Sequence, residues 1–255
     1  MGVSIHMLQL LLAYALVQSG PTDVKFEVDG VERTAVVYRS SDAAKASPVV
    51  FVWHGFTGNA KQAAFSYRVH SAWPEATVVY PQGLEVSLLG RKAPGWQIVP
   101  KLEGDRDVKF FDAMLSKAFA EYKGDPKRVY TCGMSNGAIF SYVLMATRGD
   151  KFAAAGPVGG YAPPAFDGAA ATPILVVHGK KDALIPFALA ERARDTALKN
   201  NAAGATQTDW MPGFVQYGPS KNGMEVVWRA HEGGHTWPEG TTEGIVKFFK
   251  GHPRG

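Results

Sequence analysis

The sequence predicts an α/β fold: a mostly parallel central sheet with helices on both faces and an antiparallel hairpin at its N-terminal side. Three observations carry this. Short runs of β-branched and other apolar residues recur without polar alternation, as in strands covered on both faces. Amphipathic stretches with helical spacing lie between them, which is the alternation of a βαβ series. Asp29-Gly30 sits between two β-rich runs, a strong hairpin signal.

The hairpin joins Val24 to Val28 with Arg33 to Tyr38. The strands that follow are Pro48 to Trp53, Thr77 to Tyr80, Arg128 to Cys132, Phe152 to Val158, Ile174 to Val177 and Glu225 to Arg229. Helices are expected over Asp105 to Tyr122, where Val108, Phe110, Phe111, Leu115, Ala118 and Phe119 fall close to helical spacing, and over Asn136 to Thr147, Phe187 to Asn200 and Glu243 to Phe249. Two longer connections, Gln82 to Gly104 and Ala205 to Met224, are rich in Gly and Pro yet carry Trp96, Trp210, Phe214 and Tyr217. Such long aromatic loops are expected to form walls or lids of a site, with packing in the core as an equal alternative for each ring.

With 255 residues the chain suffices for one packed core of several layers. It shows no internal repeat, low-complexity linker or charge run, so residues 21–255 are expected to form one domain. The apolar fraction of 46% and charged fraction of 20% exclude a mainly disordered chain. A net charge of +4 with scattered Lys and Arg provides no continuous basic face, which argues against nucleic acid as partner. A single cysteine, Cys132, permits no internal disulfide and no Cys-based metal cluster. Met7 to Val17 is apolar but too short to span a bilayer. It has the length of a signal-peptide core, with Val17-Gln18-Ser19 as a small-residue cleavage site, although Met1 to His6 carry no Lys or Arg. Residues 1–20 are therefore read as a possible signal peptide and the protein as secreted or periplasmic, the competing reading being a surface-packed N-terminal helix.

Gly133-Met134-Ser135-Asn136-Gly137 follows a strand directly and opens a helix. A serine on so sharp a strand-to-helix turn needs a strained backbone, and the two glycines remove side chains that would collide there. Its hydroxyl then stands above the sheet at a helix N-terminus, where negative charge is favoured. A neutral hydroxyl is a poor nucleophile, so it needs a base, and the base needs an orienting acid. Asp182, after the strand that ends in His178-Gly179, and His235, after a glycine turn beyond Arg229, complete the chain order Ser, Asp, His. Asp167 and Glu239 are less well placed, because neither follows a strand immediately. The backbone N–H of Asn136 is expected to be one oxyanion donor. The other should come from His54-Gly55-Phe56-Thr57-Gly58, with Phe56 the first choice and Thr57 the second. His54 and His178, each before a Gly at a strand end, are read as stabilising turns.

His231-Glu232-Gly233-Gly234-His235 formally matches a zinc-protease motif, but that chemistry needs a helix. Two consecutive glycines, at about 1 kcal/mol each, followed by Thr236-Trp237-Pro238, oppose one. No metal site and no cofactor are expected.

With these residues assembled, the chain resembles the secreted serine-esterase branch of the α/β-hydrolases that holds polyhydroxybutyrate depolymerases, feruloyl esterases and acetylxylan esterases of carbohydrate esterase family one. The resemblance runs from about Val36 to Phe249. Its carriers include His54-Gly55-Phe56-Thr57-Gly58, Tyr80-Pro81-Gln82-Gly83, Gly95-Trp96, Asp107-Val108, the segment around Ser135, Pro157-Val158-Gly159-Gly160, His178-Gly179-Lys180-Lys181-Asp182 and Gly233-Gly234-His235-Thr236-Trp237-Pro238. It implies a Ser135, His235 and Asp182 triad, and a substrate cleft toward which Trp96 and Trp237 project. The expected activity is hydrolysis of feruloyl or acetyl esters, small or polymeric. Depolymerisation of hydroxyalkanoate oligomers is the alternative, and a non-catalytic polymer-binding module the reading from another class. Two departures stand out: many relatives carry disulfides that this chain, with one cysteine, cannot form, and no separate polymer-binding or linker module is expected within these 255 residues. Oligomeric state is left open by the sequence.

Overall fold

The computed structural model describes residues 20–88, 90–220 and 223–255. The proposed signal segment, 1–19, lies outside them. Strands β1 (Thr22–Val28) and β2 (Val31–Tyr38) pair antiparallel from Thr22 opposite Val37 to Val28 opposite Val31. Asp29 and Gly30 take φ of 52° and 76°, the positive values required by tight two-residue turns that match strand twist. The chain continues through β3 (Ser47–Trp53), helix α1 (Ala60–Tyr67), the short α2 (Val69–Ala72) and β4 (Thr77–Pro81). A hairpin of β5 (Leu84–Leu88) and β6 (Arg91–Gly95) precedes α3 (Arg106–Glu121). Then come β7 (Gly124–Met134), α4 (Asn136–Arg148), β8 (Ala154–Val158), β9 (Ile174–Gly179) and α5 (Phe187–Asn200). The chain closes with β10 (Ala203–Met211), β11 (Phe214–Ser220), β12 (Val226–His231) and α6 (Thr241–Gly251).

Ten strands form one sheet in the order β1-β2-β4-β3-β7-β8-β9-β12-β11-β10. The six central strands are parallel, from the β4–β3 pair to the β9–β12 pair. Alternate residues of β3 show why these runs carry no polar alternation. Val50 and Val52 join a cluster with α1 residues Ala60, Ala63 and Ala64 and α6 residues Ile245, Phe248 and Phe249. Val49, Phe51 and Trp53 join Val108, Phe110, Phe111 and Phe140 from α3 and α4 on the opposite face. Both sheet faces are thus dry, as the fold class requires.

Three elements differ from the sequence expectation. Gln82 to Gly104 is largely the β5–β6 hairpin, and Ala205 to Met224 is largely the β10–β11 hairpin, which extends the sheet antiparallel at its other edge. Phe214 and Tyr217 are buried in the core, at 2% and 6% exposure, so the packing alternative holds for both. Trp210 packs edge-on against Phe214 and Phe248. Helix α1 was not anticipated, although Asn59 caps it: its Oδ1 accepts from the Gln62 amide at 2.8 Å.

At the N-terminus of α3, Asp107 is fully buried and forms an ion pair with the buried Arg33 of β2 at 2.8 Å. Its other oxygen accepts from the Gln97 amide at 2.9 Å. A buried pair costs desolvation and holds only with good geometry. Here it pins the segment after β6 to the sheet.

Candidate active site

Ser135 follows β7 directly and precedes α4 with φ 58° and ψ −121°, a conformation L-residues rarely adopt. The surroundings over-determine it, as stored strain requires. A Cβ on Gly133 would meet the Gly137 and Trp53 carbonyl oxygens at 2.8 Å. One on Gly137 would lie 2.7 Å from the His54 oxygen and closer still to that of Trp53. The two glycines therefore let α4 start against the end of β3, and Ser135 is the residue left to make the turn. Its amide donates to Val158 O at 2.9 Å.

Asp182 and His235 meet. His235 Nδ1 lies 2.7 Å from Asp182 Oδ2, and the carboxylate is buried. Asp182 Oδ1 accepts from the Leu184 and Ile185 amides, each at 2.9 Å. Burial alone would raise the Asp182 pKa, but the Ile185 amide, His235 and the Leu184 amide outweigh it and hold the carboxyl below its ordinary value. It is therefore ionised at neutral pH, and the imidazole N–H must point at it. The loops bearing the two residues are zipped together: Lys180 N donates to His231 O at 2.8 Å and Lys181 N to Gly233 O at 3.0 Å. A Cβ on Gly179 would collide with the Gly233 oxygen at 2.5 Å, so only glycine permits that approach.

Ser135 and His235 share the wall of one cavity of about 720 Å³. Phe56, Tyr67, Ile139, Tyr161, Leu184 and Ile185 supply much of its apolar lining, and Asn59, Gln62, Ser66 and Arg91 its polar one. The Thr57 amide is committed to Pro94 O at 2.9 Å, which removes the second-choice oxyanion donor and leaves Phe56 in that loop. The Asn136 side chain clasps the backbone of Trp96 in both directions: Oδ1 accepts from its N–H at 2.7 Å and Nδ2 donates to its carbonyl at 2.9 Å.

A family model described as phospholipase/carboxylesterase matches residues 34–216. The chain belongs to that family. Over 163 residues it is 30% identical to a bifunctional acetylxylan esterase/xylanase of Neocallimastix patriciarum, covering 62% of this chain and 22% of that protein. It is 27% identical over 175 residues to feruloyl esterase D of Neurospora crassa, covering 63% and 53%. The chain thus spans about a fifth and about half of these two relatives. An acetyl xylan esterase from Aspergillus awamori superposes with a TM-score of 0.73 at 14% identity, covering 91% of this chain and 99% of that one. The fold is that of the α/β-hydrolases.

In this phospholipase/carboxylesterase-family chain, two residues expected in the cleft lie elsewhere. Trp96 is fully buried, its ring against Trp53, Phe140 and His54 and its Nε1 donating to His54 O at 2.9 Å. Trp237 stacks on Tyr67 with ring centroids 4.2 Å apart and donates to Thr242 Oγ1 at 3.0 Å. Neither indole lines the cavity. Each braces something that does: Trp96 the loop that carries Phe56, and Trp237 the ring of Tyr67. The turn-stabilising reading of His54 agrees with its contacts, since Nε2 accepts from the Gly83 amide at 3.0 Å while Nδ1 faces Gly55 O at 2.7 Å. His178 Nε2 faces Ile185 O at 2.9 Å and so steadies the turn after Asp182. His231 closes β12 and residues 232–240 form no helix, so His231 and His235 are not spaced along a helix as the zinc motif demands.

Arg91, Tyr161, Leu184 and the α1 residues of the cavity were missed by the sequence reading. They come from segments without a motif, and their common wall exists only after folding.

Proposed function

We propose that this protein is a serine carboxylic-ester hydrolase acting through an acyl-enzyme, with Ser135 as nucleophile, His235 as base and Asp182 as orienting acid. The observation that carries the proposal is the 2.7 Å contact between His235 and Asp182 in the wall of the same cavity that Ser135 lines from its strained turn.

The ionised Asp182 holds the His235 proton on Nδ1, which leaves the Nε2 lone pair free to act as base. As Ser135 Oγ bonds to the carbonyl carbon, its proton passes to Nε2 and the carbonyl π electrons move to oxygen. The Phe56 and Asn136 amides are the assigned donors to that oxyanion, each worth about 3–4 kcal/mol of barrier. Collapse expels the alcohol, which takes the proton from Nε2. Water repeats the sequence on the acyl-serine and releases the acid. Every proton is accounted for by these residues.

The substrate class we favour is an acetyl or feruloyl ester borne on plant polysaccharide. Support comes from the two named relatives and from a cleft that joins aromatic walls to amide and hydroxyl groups. Such polymers cannot enter a cell, which agrees with export of a single catalytic domain formed by residues 21–255. The test is Ser135→Ala against methyl ferulate, acetylated xylan and hydroxybutyrate oligomers. Loss of turnover with unchanged circular dichroism is expected, together with wild-type preference for the first two. Retained turnover overturns the nucleophile, and preference for the oligomers overturns the substrate class.

A further inference from the structure

Tyr67 is the last residue of α1 and lines the cleft that holds Ser135. It is held in place without the use of its hydroxyl. One face of its ring is stacked on Trp237, with centroids 4.2 Å apart. Its carbonyl accepts from Thr242 Oγ1 of α6 at 2.7 Å, and that same oxygen accepts from Trp237 Nε1 at 3.0 Å. Ring, indole and helix are thereby locked together.

The hydroxyl is left over. It forms no hydrogen bond among the described residues, yet unlike the unpartnered hydroxyl of Tyr142 it is not sealed in the interior. With one ring face covered and only 8% of the residue exposed, its outlet is the cleft. Burial, with a smaller contribution from Cys132, raises its pKa above the ordinary phenol value, so the proton stays in place and the group remains a donor. Water can satisfy such a donor while the cleft is free. A bound ester displaces that water, and a hydroxyl then left without an acceptor costs binding energy. A few polar groups of this kind in an otherwise apolar wall are what orient a ligand and select it.

The acceptor must come from the substrate, and the reacting ester group has none to spare. In the proposed mechanism its carbonyl oxygen is taken by the Phe56 and Asn136 amides, and its alkoxy oxygen by the proton on His235. We propose that Tyr67 determines specificity: its hydroxyl donates to a further oxygen of the substrate, outside the reacting ester group, so that the cleft favours oxygen-rich esters over hydrocarbon ones. The inference rests on the assignment of Ser135, His235 and the oxyanion amides. That oxygen can belong to a ring substituent of the acyl group, to a sugar hydroxyl of the alcohol or to the next carbonyl of a polyester, and the choice of esters separates the three.

The experiment compares kcat/KM of the full-length wild type and Tyr67→Phe, which removes the hydroxyl and keeps the stacked ring. The oxygen-bearing esters are methyl ferulate, acetylated xylo-oligosaccharide and hydroxybutyrate oligomers, and the esters without a further oxygen are methyl cinnamate and 1-naphthyl acetate. We expect a fall of about three- to tenfold on at least one oxygen-bearing ester, carried by KM, with methyl cinnamate and 1-naphthyl acetate at their wild-type values. A fall on methyl ferulate places the partner oxygen on the acyl side, one on the xylo-oligosaccharide places it on the alcohol, and one on the hydroxybutyrate oligomers alone identifies a polyester carbonyl. Equal loss on every ester overturns the proposal, because the hydroxyl would then serve the reacting group or the shape of the site. Unchanged values on every ester overturn it as well. If the wild type cleaves none of them, the proposed function fails, and calorimetric binding of the same esters to wild type and Tyr67→Phe still decides the role of this hydroxyl.

Discussion

Acidification should unfasten the loop after β3, which carries Phe56, through His54. The imidazole is buried between its own turn and the start of the β5–β6 hairpin, with Nε2 accepting from Gly83 N at 3.0 Å. Burial holds its pKa down at about 4 against an ordinary 6.5, and the bond to Gly55 O offsets this only in part. Protonation would set two donors against each other at Gly83 and place an unpaired charge in the core. The unfolded chain takes up its proton near 6.5, whereas the folded one resists until about 4. This contribution to stability is therefore complete above the unfolded value and is lost as pH falls through the folded one. The interval corresponds to about 3 kcal/mol, of which about 2 kcal/mol is gone by pH 5. The assay is urea denaturation of wild type and His54→Gln at pH 7 and pH 5. At pH 7 the variant should be weaker by about 1–2 kcal/mol through impaired hydrogen bonding. Between the two pH values wild type should lose about 2 kcal/mol more than the variant. His70, His178 and His231 also have lowered pKa values, but they contribute equally to both proteins and cancel in the difference. Parallel losses in the two proteins would refute the reasoning.

Asp182→Asn should lower kcat by about 10⁴-fold, measured with a p-nitrophenyl ester. The carbonyl of the new amide stays with the Leu184 and Ile185 N–H groups, so its NH2 faces His235 and forces the wrong tautomer. Asn136→Ala removes the clasp on Trp96 while keeping the backbone amide assigned to the oxyanion. A fall of up to about 10²-fold in kcat is expected, with KM little changed, from misplacement of that donor; an unchanged kcat would show that the clasp is dispensable. Gly137→Ala should leave little soluble protein, since its Cβ must enter the space of the Trp53 and His54 carbonyls, and normal yield with normal thermal stability would contradict the described approach of α4 to β3.

Most of the parallel sheet was legible because its runs obey one rule from end to end: residues such as Val49 to Trp53 are buried on both faces, so every position is apolar. The residues now assigned to the triad were legible for a related reason, since each follows a strand end and is marked by glycines that close backbone approaches force. Helix α1 was not, because its eight residues are too few to display a period, though Asn59 ahead of an alanine-rich run was a usable cap signal. The β10–β11 hairpin was hidden by a mixed pattern. Its outer strand is mostly exposed, and Pro212-Gly213, a turn signal in its own right, was absorbed into a supposed loop. Trp96 and Trp237 illustrate a different limit. Aromatic residues beside a site are equally needed behind its wall, and sequence position does not distinguish the two.

The β5–β6 hairpin explains how a cleft can vary while its chemistry stays fixed. At its base, Gly83 N holds His54, Pro94 O holds the Thr57 amide, and the Trp96 backbone is held by Asn136. These ties reach both segments assigned to the oxyanion and use main-chain atoms of the hairpin, so the side chains of the hairpin are nearly free of them. Its outer part supplies Leu88 and Arg91 to the cleft. Arg91 is exposed and makes no ion pair among the described residues. Substitution at the tip should therefore change which ester is preferred without disturbing the geometry around Ser135, whereas substitution at the base should disturb that geometry for every ester alike. Glycine at 83 and 95 belongs to the base for the same reason: a Cβ on Gly83 would lie 2.5 Å from the Gly95 oxygen, and one on Gly95 would lie 2.9 Å from Asn136 Oδ1.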